Sequence, residues 1–252
     1  MQMKSTVYNS LPIKIKHFLS TGHERSLKAK KNILASFGLK GISIVISFLL
    51  VPLTLNYIDV TRYGIWLTLS SIISWFGFFD IGLGSGLRNK FAEAIAKDQK
   101  ELARTYVSTT YAVLLIIVGI VFLLFLIINP FLNWTKILNT PAEMGSELSK
   151  LVIITFTFFC IGFVFKLIGT ILIADQKPAI NDAFNVTGNL LSLIIIYILA
   201  KTTSGSLLYL GTTLSAAPVI VLLIASLVFY NKDYKYYRPS FKYVDFKYFK
   251  SL

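Results

Sequence analysis

The chain has 252 residues, is 55% hydrophobic and only 15% charged, with a mean hydropathy of +0.68, whereas a soluble domain averages about 25% charged residues. Its 25 Lys and Arg against 12 Asp and Glu leave a net charge of +13. This composition excludes a soluble enzyme. The single Cys160 excludes an internal disulfide framework, and two histidines, His17 and His23, leave no Cys/His metal cluster, so neither metal nor cofactor is expected.

In chain order, a polar, basic leader covers residues 1–32. The apolar stretch after it is too long for the core of a cleaved signal peptide, so the first helix reads as an anchor. Charge-poor windows then predict transmembrane helices near 34–58, 63–83, 106–128, 148–174, 182–200 and 207–230. At 1.5 Å per residue a helix needs about 20 apolar residues to cross about 30 Å of hydrocarbon. Runs such as Ala112-Val113-Leu114-Leu115-Ile116-Ile117-Val118 are apolar on every side, which excludes alternating barrel strands. The expected fold is an all-α polytopic membrane protein, a six-helix lobe over 33–230 with a basic aromatic tail over 231–252. Alternate connections carry 19 cations on one side and four on the other (Arg62, Lys136, Lys150 and Lys201), which predicts that both termini are cytoplasmic.

The connections carry their own signals. Asp80 lies at the end of the second helix, before Gly82-Leu83-Gly84-Ser85-Gly86. The spacing fits neither nucleotide-binding glycine motif, and Gly82 and Gly86 predict close helix approach and a turn at the membrane surface. Asp80 can cap the next segment, pair with Arg88, or couple transport to an ion or proton. Leu87, Phe91, Ile95 and Leu102 share one face of an amphipathic segment expected to lie in the interface. Thr140-Pro141-Ala142-Glu143 reads as a capping box opening the fourth helix. Asn133-Trp134-Thr135 is formally a glycosylation sequon, but beside Phe131 and Leu132 it reads as headgroup belt. In the turn Asp175-Gln176-Lys177-Pro178, Pro178 blocks the fourth helix and Asp182 is placed to start the fifth. The tail tyrosines Tyr234, Tyr236, Tyr237, Tyr243 and Tyr248, set among lysines, predict anchoring on anionic membrane lipids rather than nucleic-acid binding.

Two cations interrupt apolar helices: Lys40 and Lys166. Each either snorkels to the headgroups or lines an inward-open cavity that accepts anions. There is no Ser/His/Asp set, no His-Glu-x-x-His and no pair of carboxylates on one helix face, so the chain does not read as an enzyme.

The strings Phe79-Asp80-Ile81-Gly82-Leu83-Gly84-Ser85-Gly86-Leu87-Arg88-Asn89-Lys90, Ala103-Arg104-Thr105-Tyr106-Val107-Ser108-Thr109 and Ala174-Asp175-Gln176-Lys177-Pro178-Ala179 resemble the amino-terminal half of bacterial polysaccharide flippases. These are the O-antigen translocases of the multidrug/oligosaccharidyl-lipid/polysaccharide exporter superfamily, and the likeness runs from about residue 30 to 252. The resemblance implies a flippase of the bacterial inner membrane that moves undecaprenyl-diphosphate-linked oligosaccharide, for surface polysaccharide or lipopolysaccharide, to the outer leaflet by alternating access. A cationic cavity would hold the diphosphate, with Lys40, Lys166 and Arg88 as its candidates and Asp80 as a coupling or gating residue. Asp175, Gln176 and Lys177 form the matching cytoplasmic turn. Such transporters have about twice as many helices in two lobes, so a second lobe or a homodimer is the expected partner beside the lipid-linked oligosaccharide. Two alternatives stay open: a small-molecule efflux relative, for which intramembrane acids would be needed, and an inactive lobe that serves only as an assembly partner.

Overall fold

The computed structural model describes residues 24–80 and 82–251, with side chains described over 30–78 and 82–249. Residues 1–23, most of the basic leader, lie outside the described residues. Nine α-helices follow in order among the described residues: α1 Glu24–Tyr57, α2 Val60–Trp75, α3 Leu83–Ala96, α4 Lys100–Ile128, α5 Trp134–Ile137, α6 Gly145–Phe165, α7 Leu167–Ala174, α8 Pro178–Thr202 and α9 Leu207–Asn231. No strand occurs among these residues, and the fold is that of an all-α polytopic membrane protein. Five helical segments are long and apolar enough to cross a membrane, α6 and α7 counting as one. The number rises to six if α2 and α3, bent by 50° across the turn between them, act as one span.

Several helix ends lie outside the predicted windows. α1 begins at Glu24 rather than 34, α4 at Lys100 rather than 106, and α8 at Pro178 rather than 182. A hydropathy window stops at the first charge, but Lys, Arg and Glu are good helix formers, so the backbone continues into the headgroup region. Pro178 occupies the first turn of α8, where its missing N–H is no loss, and Asp182 lies inside the helix, accepting from Ser36 Oγ of α1. The segment expected to lie in the interface is two helices, α3 and the start of α4, separated by a turn with Asp98 at φ 55°. α3 is a core element: Leu83, Leu87, Phe91 and Ala94 are buried against α4 and α7.

Packing falls into two apolar clusters. At the basic end, where α1 begins and α9 ends, α3, α4, α7 and the end of α9 meet around Phe91, Leu114, Leu167 and Ile171. At the opposite end, α2, α6 and the start of α9 meet around Leu69, Leu148, Leu151 and Phe156. Phe156 is the hub of the second cluster, edge-on to Phe76 at 5.0 Å and stacked on Phe125 at 4.0 Å. Both clusters include Val118 and Phe159, which join them.

The helix α1 runs parallel to α8 at a constant offset of 146 residues: Ser36 meets Asp182, Asn189 Nδ2 donates to Ser43 Oγ at 3.4 Å, and Tyr57 Oη lies 3.0 Å from Thr203 Oγ1. These rungs fall on a seven-residue spacing, with Leu50 and buried Ile196 at the intervening position, the repeat of a parallel two-helix seam. At the opposite end Arg62 Nη1 donates to the Gly205 carbonyl at 3.0 Å. Glu147 there accepts from the Leu208 N–H at 3.0 Å, a carboxylate on the positive end of α9.

Three local expectations are corrected. Thr140 and Glu143 form no capping box: α6 begins at Gly145, and Thr140 Oγ1 is buried without a hydrogen-bond partner among the described residues. Trp134 is buried in the second cluster, its indole N–H donating to Asn129 Oδ1 at 2.9 Å, instead of lying in the headgroup belt. Asn133 caps α5, accepting from the Lys136 N–H at 3.1 Å and from Thr135 Oγ1 at 2.7 Å. Gly82 admits a left-handed φ of 80° before α3 and has nothing within 4 Å of where a Cβ would stand, so it serves the turn and not a close helix approach.

Close approach is made by other glycines. A Cβ on Gly211 of α9 would stand 2.8 Å from Trp66 Cζ3 and also against Leu151, so α9 touches α2 and α6 there with no room for a side chain. Gly211→Leu is expected to cost about 1–3 kcal/mol by overpacking, whereas Gly64→Leu, facing open space, should cost far less. Thermal unfolding of the two variants in detergent checks the difference; equal losses would refute the tight crossing.

Candidate functional site

The long helix α6–α7 is interrupted once, at Lys166. The Lys166 N–H donates to the Gly162 carbonyl at 2.9 Å, and its own carbonyl accepts from the Gly169 N–H at 3.0 Å, one tighter turn between the two helices. Gly169 is required just beyond, because a Cβ there would run into Asn181 of α8. The Lys166 ammonium lies 3.7 Å from the centroid of the Phe163 ring, a geometry in which the ring face attracts the cation.

Lys166 lines a hollow of about 470 Å³ between α2, α6 and α9, a volume within the usual range of small-molecule sites. Trp66, Ser70 and Ser74 come from α2, Thr155 from α6 and Ser215 from α9. Ser70, Ser74 and Ser215 donate to carbonyls of their own helices, leaving oxygen lone pairs free to accept. Thr155 Oγ1 is buried and has no hydrogen-bond partner among the described residues, which leaves it a donor for a polar ligand. None of the described residues lining this hollow is acidic. One cation, four hydroxyls and an indole among apolar walls suit a neutral or anionic polar ligand.

The other predicted residues are dispersed. Lys40 is exposed on α1, in a shallow groove with Ser43, Ser47 and Phe48 that shares no residue with the Lys166 hollow. Arg88 is exposed on α3. Asp80 ends the short 3-10 turn Phe76–Asp80, and its side chain lies outside the described residues. Of the three cationic candidates, the structure therefore places only Lys166 in a hollow between helices. Residues 66, 70 and 74 stand four apart on one face of α2, a polar stripe that was visible in the sequence and passed over because no residue in it is charged.

The turn Asp175-Gln176-Lys177 performs a different task. Gln176 takes a left-handed φ of 59°. Tyr234 Oη donates to Asp175 Oδ2 at 2.7 Å, and Lys177 Nζ reaches the same oxygen at 2.6 Å and Tyr234 Oη at 3.2 Å. This knot ties the α7–α8 turn to the start of the tail. The rest of the tail folds back on α3 and α4. Tyr237 meets Phe91 edge-on at 5.1 Å and Tyr248 meets Tyr106 at 5.4 Å. Arg104 lies 4.0 Å from the centroid of Tyr243, while Ser108 Oγ accepts from the Ser240 N–H at 3.2 Å and Thr109 Oγ1 from the Asp245 N–H at 3.0 Å. Tyr236 stays exposed.

A family profile described as "Polysaccharide biosynthesis protein" matches residues 29–252. The chain belongs to the polysaccharide biosynthesis protein family. Neither the curated proteins nor the solved structures returned a match. Members of this family are transporters, polysaccharide flippases, and the chain is accordingly a multi-pass membrane protein of that family. The match spans both the Lys166 hollow and the tail. The Ala103–Thr109 string that carried the family likeness is where the tail docks, through Arg104, Tyr106, Ser108 and Thr109.

Tyr234 is held above the usual tyrosine range, first by burial and then by its hydrogen bond to the Asp175 carboxylate. Below about pH 10 the phenol is neutral in folded and unfolded chains alike; above it only the unfolded chain ionises, so stability falls as pH rises. Tyr234→Phe is expected to lose less stability than the parent between about pH 10 and 11, read as the slope of melting temperature against pH. Equal slopes would show that Tyr234 is not held neutral.

Proposed function

We propose that the protein translocates an anionic, lipid-linked oligosaccharide, undecaprenyl-diphosphate-linked sugar by the family likeness, across the bacterial inner membrane, and that the Lys166 hollow is its polar binding surface. The observation that carries this reading is the Lys166 ammonium at a hollow between helices whose lining also offers hydroxyls and Trp66. An ammonium attracts diphosphate or acidic sugars more strongly in an apolar wall than in water. Hydroxyls accept and donate to sugar hydroxyls, and the indole offers a face to a pyranose ring.

In this reading the basic end is cytoplasmic, in keeping with 19 cations against four, and Arg88 on α3 makes the first contact with the diphosphate as it enters. Asp80, one turn before α3, is the coupling or gating residue. Alternating access needs a facing wall, which a second lobe or a second copy supplies. The support for this is α1, which packs chiefly on α8 and leaves Phe37, Ile44, Val45 and Phe48 exposed beside Lys40.

Proteoliposomes loaded with a fluorescent diphosphate-linked oligosaccharide test the reading. Lys166→Ala should lower transport about tenfold or more, the loss expected for one charge-assisted hydrogen bond, at unchanged membrane abundance, and Lys166→Arg should keep most of it. Unchanged transport in Lys166→Ala, with the parent active, would assign Lys166 to snorkelling.

A further inference from the structure

The face of α6 that does not line the Lys166 hollow lines another. Residues 155, 158, 159, 162, 163 and 166 face the first; residues 157, 160, 161, 164 and 165 face the second. This second hollow, of about 480 Å³, lies between α4, α6 and α9 and is almost wholly apolar. Its floor is buried, formed by Cys160, Val164 and the hydrogen-bonded pair Tyr111 and Tyr230. Its flanks Leu115 and Leu227 are exposed, so it opens sideways from membrane-spanning helices, where the surrounding medium is acyl chain.

Thr157 in the lining donates to the Ile153 carbonyl of its own helix at 2.7 Å, and two further polar features bear on a ligand. At the basic end Arg238 of the tail stands over the opening, its Nη1 3.5 Å from Asn231 Oδ1. Ser226 is 4% exposed, lines the hollow, and its Oγ has no hydrogen-bond partner among the described residues. A buried hydroxyl without a partner costs free energy unless a ligand satisfies it. Five residues separate Ser226 from Asn231 on α9, about 7.5 Å along the helix, so the hydroxyl sits deeper than the guanidinium by about the height of a glycerol unit.

We infer that this hollow is a binding site for one anionic glycerophospholipid of the surrounding membrane, its phosphate on Arg238, an ester carbonyl on Ser226 Oγ and an acyl chain in the apolar floor. The guanidinium selects phosphate, for which its fork of donors is suited. The serine selects a glycerol ester over a prenyl phosphate, which has no carbonyl below its headgroup. The site lies behind the transport hollow, on the opposite face of α6, and stands whether or not the Lys166 hollow binds sugar. It also gives the folded-back tail a ligand to hold, because Arg238 is fixed by its own carbonyl accepting from Arg104 Nε at 3.3 Å.

Native mass spectrometry of the full chain in mild detergent, titrated separately with phosphatidylglycerol, phosphatidylcholine and a polyprenyl phosphate, tests this. One phosphatidylglycerol per chain should bind, at least tenfold tighter than either competitor. Arg238→Gln should weaken it about tenfold, and Gly119→Trp, which fills the hollow from α4, should abolish it. Ser226→Ala should erase the preference over polyprenyl phosphate. Circular dichroism melting checks that the variants are folded; if Arg238→Gln is not, Gly119→Trp and Ser226→Ala carry the test. Equal binding of phosphatidylcholine, which has the same phosphate but no net charge, would overturn the assignment to an anionic lipid, preference for polyprenyl phosphate would overturn the glycerolipid assignment, and undiminished binding in folded Gly119→Trp would overturn the site.

Discussion

Close contact around α6 is the condition on which the rest of the structure depends. Within a bilayer an apolar side chain gains little by leaving lipid for protein, so helices associate through tight packing and interhelical hydrogen bonds. Half of the most apolar window of the α6–α7 span is buried, against 11% for α1. Glycines make the crossings possible: a Cβ on Gly162 would stand 2.9 Å from Val219, and one on Gly188 2.9 Å from the Pro218 backbone. With α6 fixed in this way, its two flanks are fixed too. One carries Lys166 and looks onto hydroxyls and an indole; the other carries Cys160 and Val164 and looks onto acyl-like walls under an arginine.

At the basic end a second kind of contact takes over. There charge-assisted hydrogen bonds and aromatic edges hold the chain. The Asp175–Lys177–Tyr234 knot and the docking of the tail on α4 turn loop and tail into one surface. Exposed ion pairs such as Lys97 with Glu93 add little by comparison, because water screens them. The residues that mark the chain as a flippase relative thus include several whose work is to shape this end of the bundle, and they need not touch cargo at all.

The apolar spans, the helical class and the family likeness were legible in the sequence because each depends on local composition or on contiguous strings. The intramembrane lysines were legible as exceptions to that composition, but their surroundings were not. Lys166 meets α2 and α9 through contacts about 50 to 100 residues away in the chain, and no local pattern separates it from Lys40, which has no such neighbours. The docking of the tail was not legible for a related reason: tyrosines among lysines have the same composition whether or not they pack on Phe91 and Tyr106. Glu147 caps a helix 61 residues further on, a pairing that no capping box within six residues could reveal. Gly82 was noticed for its spacing, although what it supplies is a backbone angle.

The seam between α1 and α8 has a mechanical consequence. Its polar rungs fill three of four heptad positions, with Leu50 and Ile196 at the fourth, so a slide of α1 along α8 would break all three polar pairs at once. A slide by a whole heptad, about 10 Å along the axis at 1.5 Å per residue, would still set Ser43 against Ile196 and Leu50 against Thr203. The seam therefore holds α1 and α8 in a single register. The pair behaves as a single stiff lever: whatever displaces one end of α1, at Tyr57 and Thr203, is felt at its other end by Ser36 and Asp182.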